Sequence, residues 1–450
     1  MGGADAGTAS RPVRPFEVTN GEVLRIAVPM TLAFLTQPLL GITDTAVIGR
    51  VGNADMLAGL VVGTLVFDFA FLTFNFVRSG TTGLTAQAFG AGDETEMQAV
   101  FWRAVILAVG IGFALLLLQP LVTELGLLAV APEPAVAEAT RIYVFWRMLA
   151  APISLLNFAL LGSVLGRGQA RLGLLLQVAI NGANIVFSIL FGLVMEGGIA
   201  GVAIGTATGE AVGALVGVLV VTRGFARNAR PSRARILDAR AFGAMIGVNR
   251  DIMVRSFCLL AGYTLFTRIG ASFGALTLAA NGVLMTLFMV GGYFLDGLAN
   301  ASEQLVGRAV GARWRPAFDR AVKLSIVWGL ALSGALTLLF LASGEVLVGF
   351  LTTDPAIRAA AAPYLGWAAL ACFSGALAFL MDGVFIGATW SSTMRNMMLV
   401  STGLYAALAY AVTPAFGNHG LWFAFQIFLS LRGFTLLAAM PARRRATFGT

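Results

Sequence analysis

The sequence predicts an all-α membrane protein, with twelve transmembrane helices arranged as two pseudo-symmetric six-helix bundles. Three observations lead there. First, 58% hydrophobic residues, 12% charged residues and a mean hydropathy of +0.85 over 450 residues do not describe a water-soluble globule. Second, apolar runs close to bilayer-crossing length recur at 24–48, 56–78, 99–119, 138–162, 172–194 and 198–222, and again at 243–266, 275–300, 321–343, 362–387, 396–415 and 420–440. Third, a shift of about 221 residues superimposes Pro134, Tyr143, Trp146, Phe158, Gly162 and Gly166 on Pro355, Tyr364, Trp367, Phe379, Gly383 and Gly387. The same shift lays AQAFGAG (86–92) on GRAVGAR (307–313). An even number of crossings per unit sends both halves into the membrane in one orientation. Their pseudo-twofold axis then runs along the membrane normal, and two bundles face each other across a cleft.

The expected division is a cytoplasmic tail at 1–22, an N-lobe at 23–222, a basic linker at 223–242, a C-lobe at 243–441 and a short tail at 442–450. The net charge of +8 is sorted by membrane side. Arg11, Arg14 and Arg25, then Arg167 and Arg171, the run from Arg223 to Arg240, the group from Arg308 to Lys323, and Arg443 to Arg445 fall on one side. The other side holds little beyond Arg50, Arg141, Arg268 and Arg358. The positive-inside rule makes the rich side cytoplasmic, with both termini there. A multi-pass protein of a bacterial inner membrane is expected, with helix one as an uncleaved signal anchor.

The arginines are not interleaved with stacking aromatics, which argues against nucleic acid as a partner. Cys258 and Cys372 lie in apolar runs and read as small buried hydrophobes. The single histidine, His419, falls in an expected external turn. No His/Cys metal cluster, phosphate-cradling GxxxxGK loop or nucleophile with its base occurs in the sequence. These features point away from an enzyme, a cofactor and ATP-driven work by this chain.

Polar residues inside the apolar runs carry the functional reading. Helix one (LRIAVPMTLAFLTQPLLGITDTAVI, 24–48) bears Asp44 well within the run. A carboxylate at that depth costs a few kcal/mol and belongs in a polar interior. Gln37 lies about two turns earlier on the same face, while Pro29 and Pro38 permit a bend. Asp68 and Asn75 share a face of helix two, and Gln177, Asn181, Asn184 and Ser188 form a continuous stripe along helix five. Helix six adds Thr206 and Glu210. Where helices one, five and six meet, Asp44, Asn181, Asn184, Ser188 and Thr206 line one pocket, suited to a proton or to Na⁺ held at Asp44.

The second half carries Asp296, Asn300 and Glu303 on helix eight and Asp382 on helix ten. Asp296 and Asp382 are cavity candidates beside Gln37, Asp68, Gln177 and Asn181, and Glu303 is expected to pair with Arg308 or Arg313. Asp251 and Arg255, one turn apart, read as a local ion pair. Arg147 needs a partner among Asp44, Asp68 and Glu210.

The segments VPMTLAFLTQPLLGITDTAVIGRVG (28–52), TAQAFGAGD (85–93), NRDIMVRSF (249–257), YFLDGLANASEQLVGRAVGAR (293–313) and MDGVFIGATW (381–390) resemble the multidrug and toxic compound extrusion (MATE) family, in its DinF-like branch. The resemblance spans essentially the whole chain. It implies a V-shaped cleft between two lobes and export of organic, often cationic or amphiphilic, compounds in exchange for H⁺ or Na⁺. It also implies a bend at Pro29 and ion coupling at Asp44, Asn184 and Thr206. Where the family carries a second N-lobe aspartate, this chain has Ser188, which leaves Asp44 to carry the charge change alone. The glutamate of the NorM-like branch has no counterpart in VRSFCLLAGYTLF (254–266), although Asp382 resembles that branch's helix-ten aspartate. The expected partners are small organic molecules and membrane lipid, for a monomeric transporter. The alternative is a lipid-linked oligosaccharide or lipid II flippase of the same superfamily, which calls for arginines lining a cleft at membrane depth. A third reading, a membrane scaffold or sensor without transport, leaves the polar stripes without a purpose.

Overall fold

A computed structural model describes residues 13–51 and 53–449, with only the backbone described for 68–70, 72 and 73. Among the described residues every regular element is helical. The first crossing is split into α1 (Asn20–Leu35) and α2 (Gln37–Val51), and the second into α3 (Ala54–Leu72) and α4 (Phe76–Ala91). Then follow α5 (Glu94–Val130), α6 (Pro134–Leu149), α7 (Ala151–Gly166), α8 (Ala170–Ser188) and α9 (Gly198–Arg223). The second half has α10 (Arg233–Ile236), α11 (Ala239–Ala271), α12 (Ala275–Gly311), α13 (Arg315–Leu351), α14 (Pro355–Ala361), α15 (Leu365–Gly387) and α16 (Ser391–Phe448). Helix α16 turns back on itself at Gly417, whose φ of 57° suits glycine, so that Tyr405 stacks on Phe428 at 4.8 Å. With α16 counted as two crossings and each split pair as one, about twelve crossings result.

The breaks have local causes. Pro38 has no N–H, and its ring crowds the carbonyl one turn back. The helix therefore stops at Thr36, whose N–H turns to Ala33 O at 3.2 Å and whose hydroxyl donates to the same carbonyl at 2.7 Å. Around Pro29 the helix runs unbroken. Pro152 at the start of α7 accompanies a 50° bend between α6 and α7. The second crossing extends well past the expected end at residue 78. Its polar continuation, including Ser79, Thr81, Thr82 and Thr85, is buried within the protein.

The two halves meet along α1 and α4 against α12. Near the arginine-rich side, a Cβ on Gly90 would fall on the Arg308 carbonyl, and one on Gly311 on the Gln87 carbonyl. These two contacts are images of one another under the internal repeat, so the repeated segments pack face to face across the pseudo-twofold axis. Gln87 Nε2 adds bonds to Gly387 O at 2.9 Å and Thr389 Oγ1 at 3.0 Å. Beyond the Thr36 break, α2 packs on α3, α8 and α9 of its own half. The closest contacts between the halves thus gather on the arginine-rich side, where the molecule is closed.

Candidate transport site

The polar stripe of α8 is fastened to the break in the first crossing. Asn181 Nδ2 donates to Thr36 Oγ1 at 2.6 Å, and Gln177 Nε2 donates to Asn181 Oδ1 at 2.9 Å. One turn further, Asn184 Oδ1 accepts from Ser188 Oγ at 3.2 Å and from Thr206 Oγ1 at 3.4 Å. Both hydroxyls also reach Val202 O, at 3.4 and 3.2 Å. After Ser188 the helix widens into a π turn at Ile189–Val194, a distortion that clusters at functional sites. Asp44 of α2 faces Ser188 and Arg147, is 8% exposed, and keeps one buried oxygen, Oδ1, without a hydrogen-bond partner. Asp44, Asn184, Ser188 and Thr206 therefore meet in one place, with hard oxygen donors around a single carboxylate.

Arg147 takes Glu210 as its partner. Its Nη1 donates to Glu210 Oε1 at 3.0 Å, and its guanidinium lies 4.0 Å from the centre of the Phe67 ring. Ser154 Oγ donates to Glu210 Oε2, and Asn157 Nδ2 to the Glu210 carbonyl at 2.9 Å. A buried charge stripped of its partner costs about 3–5 kcal/mol. Glu210→Ala is accordingly expected to lower the thermal midpoint of the purified protein sharply, and more than Glu210→Ala combined with Arg147→Met. Equal midpoints for the single variant and the wild type would remove the pair from the fold's support.

Two cavity candidates stand differently. Gln37, the first residue of α2, is exposed, and the residue of this crossing that bonds Asn181 is Thr36. The side chain of Asp68 lies outside the described residues. Nothing in the residue order singles out Thr36, because hydroxyls are common in apolar helices and only the backbone break turns this one toward α8.

In the second half, Asp382 is gripped by two arginines, Arg255 Nη2 and, at 2.9 Å, Arg432 Nη2. Its charge is therefore met within the protein. Asp251 does not pair with Arg255. It binds Arg395 at 2.6 Å, Arg250 at 3.2 Å and Ser391 at 3.1 Å. The physical reason is the company each carboxylate keeps: Asp251 is already met by two arginines and a hydroxyl, and the long side chain of Arg255 reaches across to Asp382 on α15. For Asp382→Asn, the expected result is a lower thermal midpoint with transport retained; loss of transport at an unchanged midpoint would make Asp382 part of the transport machinery.

Asp296 is half-buried, with Arg78, Arg255, Asp382 and Arg432 as its charged neighbours. Arg78 of α4 crosses between the halves, donating to Asn300 Oδ1 at 2.8 Å and to Asn75 Oδ1 at 2.9 Å. Glu303 is 2% exposed and sits beside Arg78 and Thr82. Its expected partner Arg308 turns instead to Glu22 at 3.7 Å and to the Phe16 ring at 3.9 Å. Arg78 escaped the sequence reading because it closes the run 56–78, where an arginine looks like a boundary marker; Arg432 lies inside the run 420–440, where a charge in need of a partner is the signal to follow.

The MatE family model matches residues 29–215 and again 252–411, one match for each half. The chain is 37% identical to DNA damage-inducible protein F of Escherichia coli (strain K12) over 420 residues, covering 92% of this chain and 90% of that one. It is 24% identical to a probable multidrug resistance protein NorM of Chromobacterium violaceum, covering 94% of each. Among solved structures, an outward-facing multidrug resistance MATE family transporter of the MOP superfamily matches with a TM-score of 0.86 at 17% identity, covering 96% of this chain and 97% of that one. That likeness extends to the fold alone. Two matched halves and a relative at this identity over nearly the full length leave one conclusion: the chain belongs to the MatE family, the multidrug and toxic compound extrusion transporters, and is not an enzyme.

Proposed function

We propose that this protein is a secondary antiporter of a bacterial inner membrane, expelling organic cations or amphiphiles in exchange for H⁺ or Na⁺ by alternating access. The observation that carries the reading is Asp44: a buried carboxylate with one unpartnered oxygen, on the short helix that follows a break, facing a second helix through a cluster of hydroxyls. A proton would complete that oxygen directly. Na⁺ would find Asn184 Oδ1, Ser188 Oγ, Thr206 Oγ1 and Val202 O close by. Either ion removes the charge, and α2 then gains or loses its reason to lean on α8.

The two lobes, 23–222 and 243–441, act as the moving bodies, with the basic linker and both termini cytoplasmic. Pro29 and the Thr36–Pro38 break supply the flexible points of the first crossing. Gln177 and Asn181 line the substrate path on the N-lobe side. Ion and substrate must favour different states by about 1–3 kcal/mol each for the exchange to be coupled. The protein works as a monomer embedded in lipid. A flippase would need arginines free to hold a diphosphate; here Arg255 and Arg432 are met by Asp382, and Arg78 is held by Asn75 and Asn300.

The test is accumulation of a fluorescent organic cation in bacteria stripped of their own exporters. The transporter should lower accumulation, and an ionophore that collapses the ion gradients should abolish the difference. A difference that survives the ionophore would overturn ion-driven exchange.

A further inference from the structure

We propose that a pocket on the arginine-rich side of the N-terminal half binds the phosphate headgroup of an anionic phospholipid. The cavity, of about 570 Å³, is walled by Gln98 and Trp102 of α5, by Arg223 at the end of α9, and by Phe225, Arg227 and Arg230 of the segment that follows. Gln98 shapes it, donating from Nε2 to Ala226 O at 3.0 Å and so holding the segment against α5.

Its charge is unbalanced. Arg223, Arg227 and Arg230 are exposed and make no salt bridge among the described residues. Of the acids at the start of α5, Glu96 is engaged with Arg103 at 2.7 Å and Arg235 at 3.0 Å and Asp93 with Arg235 at 2.9 Å, while Glu94, exposed, faces Arg167 and makes no salt bridge to Arg223, Arg227 or Arg230. A fourth guanidinium, that of Arg167, lies 4.7 Å from the Phe225 ring, and its Nε and Nη2 are buried without a hydrogen-bond partner. Arginine donors in this number match the oxygens of a phosphate.

What selects a lipid over a free phosphate is the surface next to the pocket. One turn along α5 from Trp102 lies Ile106, 44% exposed. One and two turns back along α9 from Arg223 lie Leu219, 43% exposed, and Leu215, 64% exposed. Side chains one turn apart share a helix face, so an apolar strip leads from the arginines into the membrane. Trp102 stands at the junction, as amphipathic rings do at membrane interfaces. Basic pockets between transmembrane helices on the cytoplasmic side take anionic lipid headgroups. The cytoplasmic assignment of this side rests on the function proposed above, but the binding itself does not.

The experiment is native mass spectrometry of the purified full chain, titrated with phosphatidylglycerol or with phosphatidylcholine of the same acyl chains, and with phosphatidylglycerol plus millimolar inorganic phosphate. One variant is Arg223→Gln/Arg227→Gln/Arg230→Gln. A second, Arg240→Gln/Arg313→Gln/Arg445→Gln, removes the same charge from exposed positions on the same side. Wild type and control should retain phosphatidylglycerol about tenfold better than phosphatidylcholine, and the pocket variant should lose that preference. Equal retention of the two lipids, equal loss in the control variant, or displacement of the lipid by inorganic phosphate would each overturn the assignment. The comparison of lipids on the wild type decides without any variant, and no transport is measured, so failure of the antiport reading leaves the result intact.

Discussion

Asp44→Asn is expected to lower gradient-driven efflux by about 10- to 100-fold while leaving helix content and elution profile unchanged. Asparagine keeps the shape of the side chain and its place beside Ser188, so packing around α2 survives. What disappears is the ability to alternate between a charged and a neutralised state. A coupled exchanger needs the ion to prefer one arrangement of the lobes, and with Asp44 gone no other carboxylate among the described side chains is free in this cluster: Glu210 is committed to Arg147 and Ser154. Residual substrate binding with lost coupling is therefore the expected pattern. Undiminished efflux in a normally inserted Asp44→Asn protein would remove Asp44 from the mechanism.

The second large effect is expected at the closed side. Gly90 and Gly311 are related by the internal repeat and each presses on a backbone carbonyl of the other half, that of Arg308 and that of Gln87. Backbone cannot withdraw as a flexible side chain can. Gly90→Leu combined with Gly311→Leu should thus forbid the closed contact and hold the lobes apart on the arginine-rich side, bringing efflux close to background. A reporter distinguishes this from unfolding. Thr82 is fully buried beside Glu303 at the junction of the halves, and Thr82→Cys should resist an impermeant maleimide in the parent protein and react in the double-leucine background from that side. Unreactive Thr82→Cys with normal efflux would mean that the glycine contact does not gate transport.

The sequence made much of the architecture legible. Crossings followed from the lengths of the apolar runs, and the repeat from a single shift, because both are properties of residues in order. The stripe Asn181, Asn184 and Ser188 was equally readable, since helical periodicity places these residues on one face and a lipid-facing amide is too costly to be accidental. Breaks were harder. Pro38 announced a bend in the first crossing, but the place of the break, Thr36, depended on which carbonyl lost its partner. In the second crossing the apolar run stops at residue 78, yet the polar segment after it packs between α7 and α12 and stays helical. Charge pairing was least legible. A one-turn spacing pointed Arg255 to Asp251, whereas the fold brought it to Asp382 on another helix, and Arg308 turned away from Glu303 to Glu22 and Phe16: the partner is decided by which helices pack together and not by spacing along one helix.

The most direct test of coupling at Asp44 is dye efflux from proteoliposomes under an imposed proton gradient and, separately, an imposed Na⁺ gradient, with wild type beside Asp44→Asn. The expected result is movement driven by one gradient in the wild type and lost in the variant, which names the coupling ion and places it at Asp44. Movement of equal size in both proteins, or none under either gradient in correctly folded wild type, would contradict it.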